Sequence, residues 1–482
     1  MSTQLLPGAH PTSDSSEEDP MLQSMAVAST PHPSYGSHPS SPTGPPVPTG
    51  TRFAAILNLS NTIFGAGVFS LPYGMAGMGF LLGNALIVAT ATMSAFSMSL
   101  QVEAVQLSGV TNFRLVAGKD PHTQRLWLTL LVLFSVALKC FGVMTAYLIL
   151  LGDTMNEANL DMGMYSESSP ISDRRIWILL IFAAICSWNV IRTRLEKSTY
   201  TAAASLLLAF GVVLLIVVSY IDQDLLNAPP PTENRTSQLG PLSASAVMAR
   251  LSFFVFAYTC HQNVFTVYAQ LKDNRPEEMR LISMTCVSVC GLLYALVGSI
   301  GYSLFGQTLQ SDILLNYPLS TGASNAWLPL WGVARLSVAL HVAGVIHAQA
   351  IPLRQNVEEG IHILGWAYRE YKRGNPFSFV DMPPYNIDTS SFRRRLVLTC
   401  IFCGASLAIS MWVTNLGIVF SLVGSTGSIL ISVILPALCY LEATKDKTVT
   451  LKIRFVKVYV VFGVLLGLVC FLAVLLKASG KI

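Results

Sequence analysis

Eleven stretches of this chain are each long and apolar enough to cross a bilayer, and that constrains the fold more than any motif does: 52–75, 80–105, 126–152, 175–191, 199–221, 246–270, 280–306, 327–353, 394–413, 416–441 and 455–477. About 20 apolar residues in a helix span roughly 30 Å of hydrocarbon. Inside that layer every backbone N–H and C=O must find a partner within the protein, so segments of this length read as helices. The expected fold is an all-α multi-pass membrane protein with eleven transmembrane helices. Composition agrees: 52% of residues are hydrophobic and 12% charged, against roughly 25% charged in soluble domains.

The charges set a topology. If the chain starts on the cytoplasmic side, twenty-two of its thirty Lys and Arg residues fall on that side, six fall on the other, and Lys139 and Arg335 lie within helices. Positive charge concentrates in cytoplasmic loops, and adding or removing one early helix would scramble the pattern. The N-terminus is therefore expected in the cytoplasm and the C-terminus outside or in a lumen. The sequon Asn234-Arg235-Thr236 sits in an outer loop on this topology.

Residues 1–50 are rich in Ser, Pro, Thr and Gly and read as a disordered cytoplasmic tail, with residues 51–482 as the transmembrane domain. The tail has no apolar core, so no cleavable signal peptide is expected. Ser13, Ser15 and Ser16 lie beside Glu17-Glu18-Asp19, and 17–22 resembles an acidic dileucine signal. Sorting or signalling partners are one reading and a merely solvated tail is the other. All nine cysteines fall in apolar segments, which argues against an outer disulfide framework. The Cys400/Cys403 pair has no second CxxC or His cluster, and no metal site is expected.

Within the first segment runs Asn61-Thr62-Ile63-Phe64-Gly65-Ala66-Gly67-Val68-Phe69-Ser70-Leu71-Pro72. Two glycines and a proline so close together interrupt a helix. In a membrane, freed peptide groups are tolerated where they are buried in protein or line a cavity. The positive N-terminal end of one half-helix suits an anion and the carbonyl end of the other suits a cation, a pairing that fits a zwitterion. A packing kink without a ligand is the alternative. The sixth segment turns polar at mid-depth, Thr259-Cys260-His261-Gln262-Asn263, and should break as well. Segments one and six occupy the same position in two five-helix units, and because five is odd the units, 52–221 and 246–441, insert with opposite orientation. The segment 455–477 is left over as an eleventh helix. Interruptions at matching positions of inverted repeats point to a shared midplane site.

Several runs resemble the amino acid/auxin permease family, with the sodium-coupled neutral amino acid transporters and vacuolar amino acid transporters as the nearest branches. They are Asn58-Leu59-Ser60-Asn61-Thr62 with Gly65-Ala66-Gly67, Phe256-Ala257-Tyr258-Thr259-Cys260-His261 leading to Tyr268, Ile351-Pro352-Leu353-Arg354, and Ile434-Leu435-Pro436-Ala437. The resemblance implies a LeuT-type fold, two inverted five-helix repeats plus one helix, carrying an amino acid by alternating access. It implies that Thr62, Gly65, Ala66 and Gly67 meet the substrate carboxylate, that Ala257, Tyr258 and Thr259 meet its amino group and side chain, and that Asn58 or Asn61 lies near a cation site. Sodium-coupled relatives place a threonine in helix eight, where Ala339 to Gln349 here contains no Ser or Thr but holds His341 and His347. Sodium wants hard oxygen donors, so H+ is expected as the coupling ion rather than Na+.

His341 and His347, six residues apart, stand about 240° apart on a helix and cannot both face one cavity. Either is a candidate proton carrier, or a neutral histidine satisfied by a carbonyl. Lys139 near the middle of helix three is expensive there; its ammonium is a candidate for the cation position, and snorkelling or carbonyl pairing is the alternative. Arg335 has no evident acidic partner within the helices, and Glu103 and Asp312, near helix ends, are expected to anchor at interfaces. His261 adjoins the second break and is expected to brace it or touch substrate.

The expected function is secondary transport of amino acids, neutral ones by preference, at the plasma membrane or a vacuolar or lysosomal membrane. The alternative is a membrane amino-acid sensor that binds without appreciable transport. No nucleotide-binding loop or catalytic motif is present, so an enzyme is not expected. Nor is a cofactor or a nucleic-acid partner; the partners are an amino acid and membrane lipid.

Overall fold

The computed structural model describes residues 50–65, 67–110, 112–118, 125–164, 166, 168–191, 199–222, 243–317, 328–379, 381–383 and 391–479. The tail, Ala66 and the sequon at 234–236 lie outside the described residues. The described chain is helical apart from one isolated parallel bridge, Gly50 to Leu271. Its α-helices are α1 (Arg52–Ile63), α2 (Gly67–Met78), α3 (Phe80–Ser108), α4 (Leu126–Asp161), α5 (Arg174–Ile191), α6 (Thr199–Ile221), α7 (Ala244–Ala257), α8 (His261–Gln270), α9 (Pro276–Phe305), α10 (Leu328–Lys372), α11 (Phe392–Trp412), α12 (Leu416–Val423), α13 (Leu435–Ala443) and α14 (Leu451–Ala478). Two π-helical stretches, Gly424–Ser428 and Leu430–Ile434, join α12 to α13.

Several helices start where a short polar side chain can accept from the first free N–H groups. Thr51 takes the amide of Ala54 at 3.2 Å, Ser243 that of Ala246 at 3.1 Å, and Thr450 that of Ile453 at 3.3 Å. By length and composition, eight helices among the described residues qualify as membrane spans, or nine if the bent pair α1–α2 counts as one. The stretch 246–270 is divided between α7, of 14 residues, and α8, of 10, each too short to qualify alone. The protein is an all-helical, multi-pass integral membrane protein.

Two helices run past the apolar stretches that mark them. α4 continues to Asp161, beyond 152, and α10 has 45 residues and reaches Lys372. At 1.5 Å per residue α10 is about 68 Å long, twice what the hydrocarbon needs. Hydropathy ends at the lipid boundary, but a helix ends where its backbone is stopped. The stops here are Gly163 and Gly374, both at positive φ (68° and 73°), open to glycine at no steric cost.

The broken pairs occupy the centre: α2 packs on α7 and α9, α1 on α6, α8 and α9, while α4 and α10 lie along each other beside them. α14 lies outermost, with Val458, Val461, Leu465, Leu468 and Leu472 exposed, as a lipid-facing helix requires. Its inner face is pinned by Tyr459, whose hydroxyl meets Ser97 Oγ at 2.8 Å.

Charge gathers at both ends of the bundle. At one end Glu103 of α3 binds Arg280 of α9 at 2.9 Å and Lys452 of α14 at 2.6 Å, so it ties three helices together. At the same end Arg52 forks onto Glu278, at 2.6 and 2.7 Å, while Gly50 exchanges backbone hydrogen bonds with Gln270 and Lys272. At the other end Arg335 of α10 is fully buried. The expectation that it lacks an acidic partner is wrong: the extra length of α4 carries Glu157, 3.0 Å from Arg335 Nε, and Asp161, bonded to Nη1. Arg335 also donates to the carbonyls of Leu314 and Tyr317 at 3.0 and 3.1 Å. Asp312, expected as an interface anchor, is buried, and its side chain caps the Leu314 amide at 3.0 Å.

The α12–α13 segment crosses α4 at Gly427, where an added Cβ would lie 2.7 Å from Lys139 Cβ and 2.8 Å from its Cα. Backbone cannot yield as a flexible side-chain tip can. Gly427→Ala is expected to destabilise the fold by about 1–3 kcal/mol, seen as a lowered melting temperature of the purified protein in detergent.

Candidate functional site

α1 stops at Ile63 and α2 starts at Gly67, with a bend of 48° between them; α7 stops at Ala257 and α8 starts at His261. The two interruptions face each other. A Cβ on Gly67 would sit 3.3 Å from Ala257 Cα, so glycine lets the two breaks touch. The freed carbonyls are managed by one residue of α9: the Tyr294 hydroxyl hydrogen-bonds the carbonyl of Ile63, the last residue of α1, and that of Ala257, the last of α7, at 2.9 Å in the latter case. A hydroxyl has one hydrogen, so it can only share it between these acceptors.

Next to this junction is a small cavity of about 20 Å³, room for roughly one water molecule. Thr62, Ile63, Gly65 and Gly67 line it from the first break, Phe256, Ala257 and Thr259 from the second, Lys139, Val143 and Tyr147 from α4, and Gln349 from α10. Lys139 is 3% exposed and its Nζ donates to Gln349 Oε1 at 3.0 Å. No carboxylate pairs with it among the described residues. A buried ammonium with one neutral acceptor is under-compensated, which gives this cavity a standing attraction for negative charge.

Of the residues singled out from sequence, Thr62, Gly65, Gly67, Ala257, Thr259 and Lys139 line one cavity. Ala66 lies outside the described residues. Tyr258 turns away: its ring meets Tyr294 edge-on at 5.2 Å, and its hydroxyl lies against Gly291. Asn58 and Asn61 stay off the cavity, Asn58 giving its carbonyl to Thr62 Oγ1 at 3.0 Å. His341 lies behind the first break, its Nδ1 2.6 Å from Ser205 Oγ on α6, and His347 faces Trp188 of α5 with ring centroids 6.0 Å apart. Neither histidine lines the cavity. His261 braces the second break through Nε2, 3.3 Å from the Ser94 carbonyl of α3.

Four polar residues of the site were not singled out as site residues from the sequence. Gln349 carries a mid-helix carboxamide, a signal that buried polar groups in membrane helices give in general. Tyr147 and Tyr294 look like ordinary membrane aromatics until the packing shows where their hydroxyls point. Asn263 of α8 donates to Thr62 Oγ1 at 3.0 Å and so latches one broken pair to the other. Beyond that latch a larger cavity of about 500 Å³ is lined by Asn263, Gln262, Thr266 and Asn356 among others.

Residues 48–478 match the family described as "Transmembrane amino acid transporter protein". The chain is 28% identical to vacuolar amino acid transporter 5 of Schizosaccharomyces pombe, over 80% of this chain and 83% of that protein. It is 26% identical to vacuolar amino acid transporter 6 of Saccharomyces cerevisiae, covering 80% and 88%, and 26% identical to amino acid transporter AVT6E of Arabidopsis thaliana, covering 82% and 76%.

A Cβ on Gly65 would stand 2.6 Å from the Tyr147 hydroxyl oxygen. Gly65→Ala is expected to lower the melting temperature by several degrees, a cost of about 1–3 kcal/mol. Adding Tyr147→Phe, which removes that oxygen, is expected to restore most of the loss; the check is a thermal double-mutant cycle on the four proteins.

Proposed function

Because the chain belongs to the transmembrane amino acid transporter protein family, we propose that it carries amino acids, neutral ones by preference, across a vacuolar or similar organelle membrane by alternating access. The protein is not an enzyme. The observation that carries the proposal is the meeting of two broken helices around one cavity that holds a buried cation. A zwitterion fits this arrangement. Its carboxylate would sit at the N-terminal end of α2, where the helix dipole favours negative charge. Its ammonium would take the carbonyls of Ile63 and Ala257, for which the Tyr294 hydroxyl has only one hydrogen.

The architecture proposed is the LeuT type: inverted repeats over 52–221 and 246–441, each opening on a broken helix, with 455–477 as an eleventh helix and the N-terminus cytoplasmic. Support comes from the matching positions of the two breaks and from the distribution of positive charge. The 20 Å³ cavity is far smaller than an amino acid, which fits a closed state between access from either side, with the 500 Å³ cavity as the path on the Arg52 side. The Thr62–Asn263 bond stands between the two.

Coupling is proposed to be to protons and not sodium. Lys139 holds its ammonium against Gln349 of α10 beside the first break, which supports reading it in the position a coupling sodium would take. A fixed cation there removes the need for the ion.

Uptake of a panel of labelled L-amino acids (alanine, leucine, glutamine) into proteoliposomes, with sodium replaced by choline at pH 5.5 and 7.5, tests this. Expected is saturable uptake that ignores sodium and rises with acid on the outer face. Saturable binding without concentrative uptake would make the protein a sensor instead. Lys139→Met is expected to lose about tenfold or more in uptake, the value of one charge-assisted contact; unchanged pH and salt dependence in that variant would remove Lys139 from the mechanism.

A further inference from the structure

α10 continues past 353, where its apolar stretch ends, to Lys372, and this extension is not polar all round. Ile361, Leu364, Tyr368 and Tyr371 are exposed and follow one another at helical spacing, so they form one apolar stripe. α11 packs beside α10 and adds exposed Phe392, Leu396 and Val397. Between the two helices lies a groove of about 280 Å³, with Ile361 on the α10 wall and Val397 and Leu398 on the α11 wall.

The rim of this groove is basic. Arg393 and Arg394 line it, and among the described residues neither guanidinium has a carboxylate partner. His362 of α10 lies within electrostatic range of both Arg394 and Arg369, so cations of the two helices converge on one surface. Arg369 and Lys372 are held over the rings of Trp366 and Tyr368, at 5.7 and 4.9 Å. The acids of the α10 extension are directed elsewhere: Glu358 is buried, Glu359 lines the 500 Å³ cavity, and Glu370 takes Arg373 at 2.8 Å. An apolar wall with a cationic rim, at the end of membrane-spanning segments, fits a ligand with a negative headgroup on a hydrocarbon chain.

We propose that the groove between α10 and α11 binds an anionic glycerophospholipid of the cytoplasmic leaflet, its phosphate between Arg393 and Arg394 and an acyl chain along Ile361, Val397 and Leu398. Arginine suits the phosphate because its planar fork offers two parallel N–H donors to two oxygens. The apolar stretch 394–413 begins at Arg394, which sets both guanidinium groups at headgroup depth. On the proposed topology that depth belongs to the leaflet whose surface is negative. A zwitterionic lipid brings its ammonium against the same two cations and binds less well. A soluble phosphate gains the arginines but leaves the apolar wall uncovered. The inference does not depend on what the protein carries.

The test uses the full chain purified in a non-ionic detergent. Phosphatidylserine or phosphatidylcholine with the same acyl chains is titrated in, and bound lipid is counted by native mass spectrometry. Wild type is expected to take the first phosphatidylserine about tenfold more tightly than phosphatidylcholine, a preference that two interfacial arginines can supply and that shrinks as salt is raised. Arg393→Gln with Arg394→Gln is expected to remove the preference and leave phosphatidylcholine binding and the melting temperature unchanged. Ile361→Asn is expected to weaken both lipids severalfold and keep the preference. Lys445→Gln with Lys447→Gln, exposed cations of another loop, is expected to behave as wild type. Equal wild-type affinity for the two lipids overturns the proposal, as does a preference that survives in the double arginine variant or falls as far in the lysine control. Displacement of bound phosphatidylserine by an equal concentration of glycerophosphoserine, the headgroup without its chains, overturns it too and makes the groove a site for a soluble phosphate.

Discussion

Inside hydrocarbon a backbone carbonyl without a partner costs several kcal/mol, and this protein leaves two helix ends, Ile63 and Ala257, at mid-structure. The Tyr294 hydroxyl donates to both. Almost everything near the centre follows from satisfying that pair of carbonyls. Tyr294 must reach between the breaks, so α9 packs against both α1 and α2. The breaks must come within reach of one oxygen, so Gly67 rests on Ala257 with no side chain between them. The satisfaction is incomplete by one hydrogen. In the proposed carrier that deficit is the affinity for an ammonium, so the same constraint that shapes the fold defines its ligand.

The two ends of the bundle are tied by different kinds of ion pair. Arg52 and Glu278 form a forked pair in which the arginine is half exposed, 53%, and Arg275 lies 3.9 Å from the same carboxylate. Pairs like this are screened by water and salt and contribute little to stability. Arg335, Glu157 and Asp161 are desolvated, and separating them means rehydrating or re-pairing every charge.

Much of the site could be read from residue order. Glycines and a proline inside an apolar stretch, and a polar run inside another, marked both breaks, and Thr62, Gly65, Gly67, Ala257 and Thr259 do line the cavity between them. Lys139 stood out because a lone charge in a membrane helix is rare. What could not be read was direction: Tyr258 lies within the second break yet turns its ring toward Gly291, since its orientation depends on packing that no local pattern encodes. Arg335 was misjudged for a related reason. Its acidic partners lie beyond the apolar limit of α4, on turns that hydropathy assigns to a loop but that no glycine interrupts before Gly163.

Lys139 sits in the cavity with Gln349 and no anion among the described residues, and in the proposed carrier it would stand in for a bound cation without moving. A cation that never leaves cannot carry energy from a gradient, because coupling requires an ion that binds in one state and departs in the other. His341, the histidine buried on α10, has its ring engaged by Ser205 behind the break and does not line the cavity.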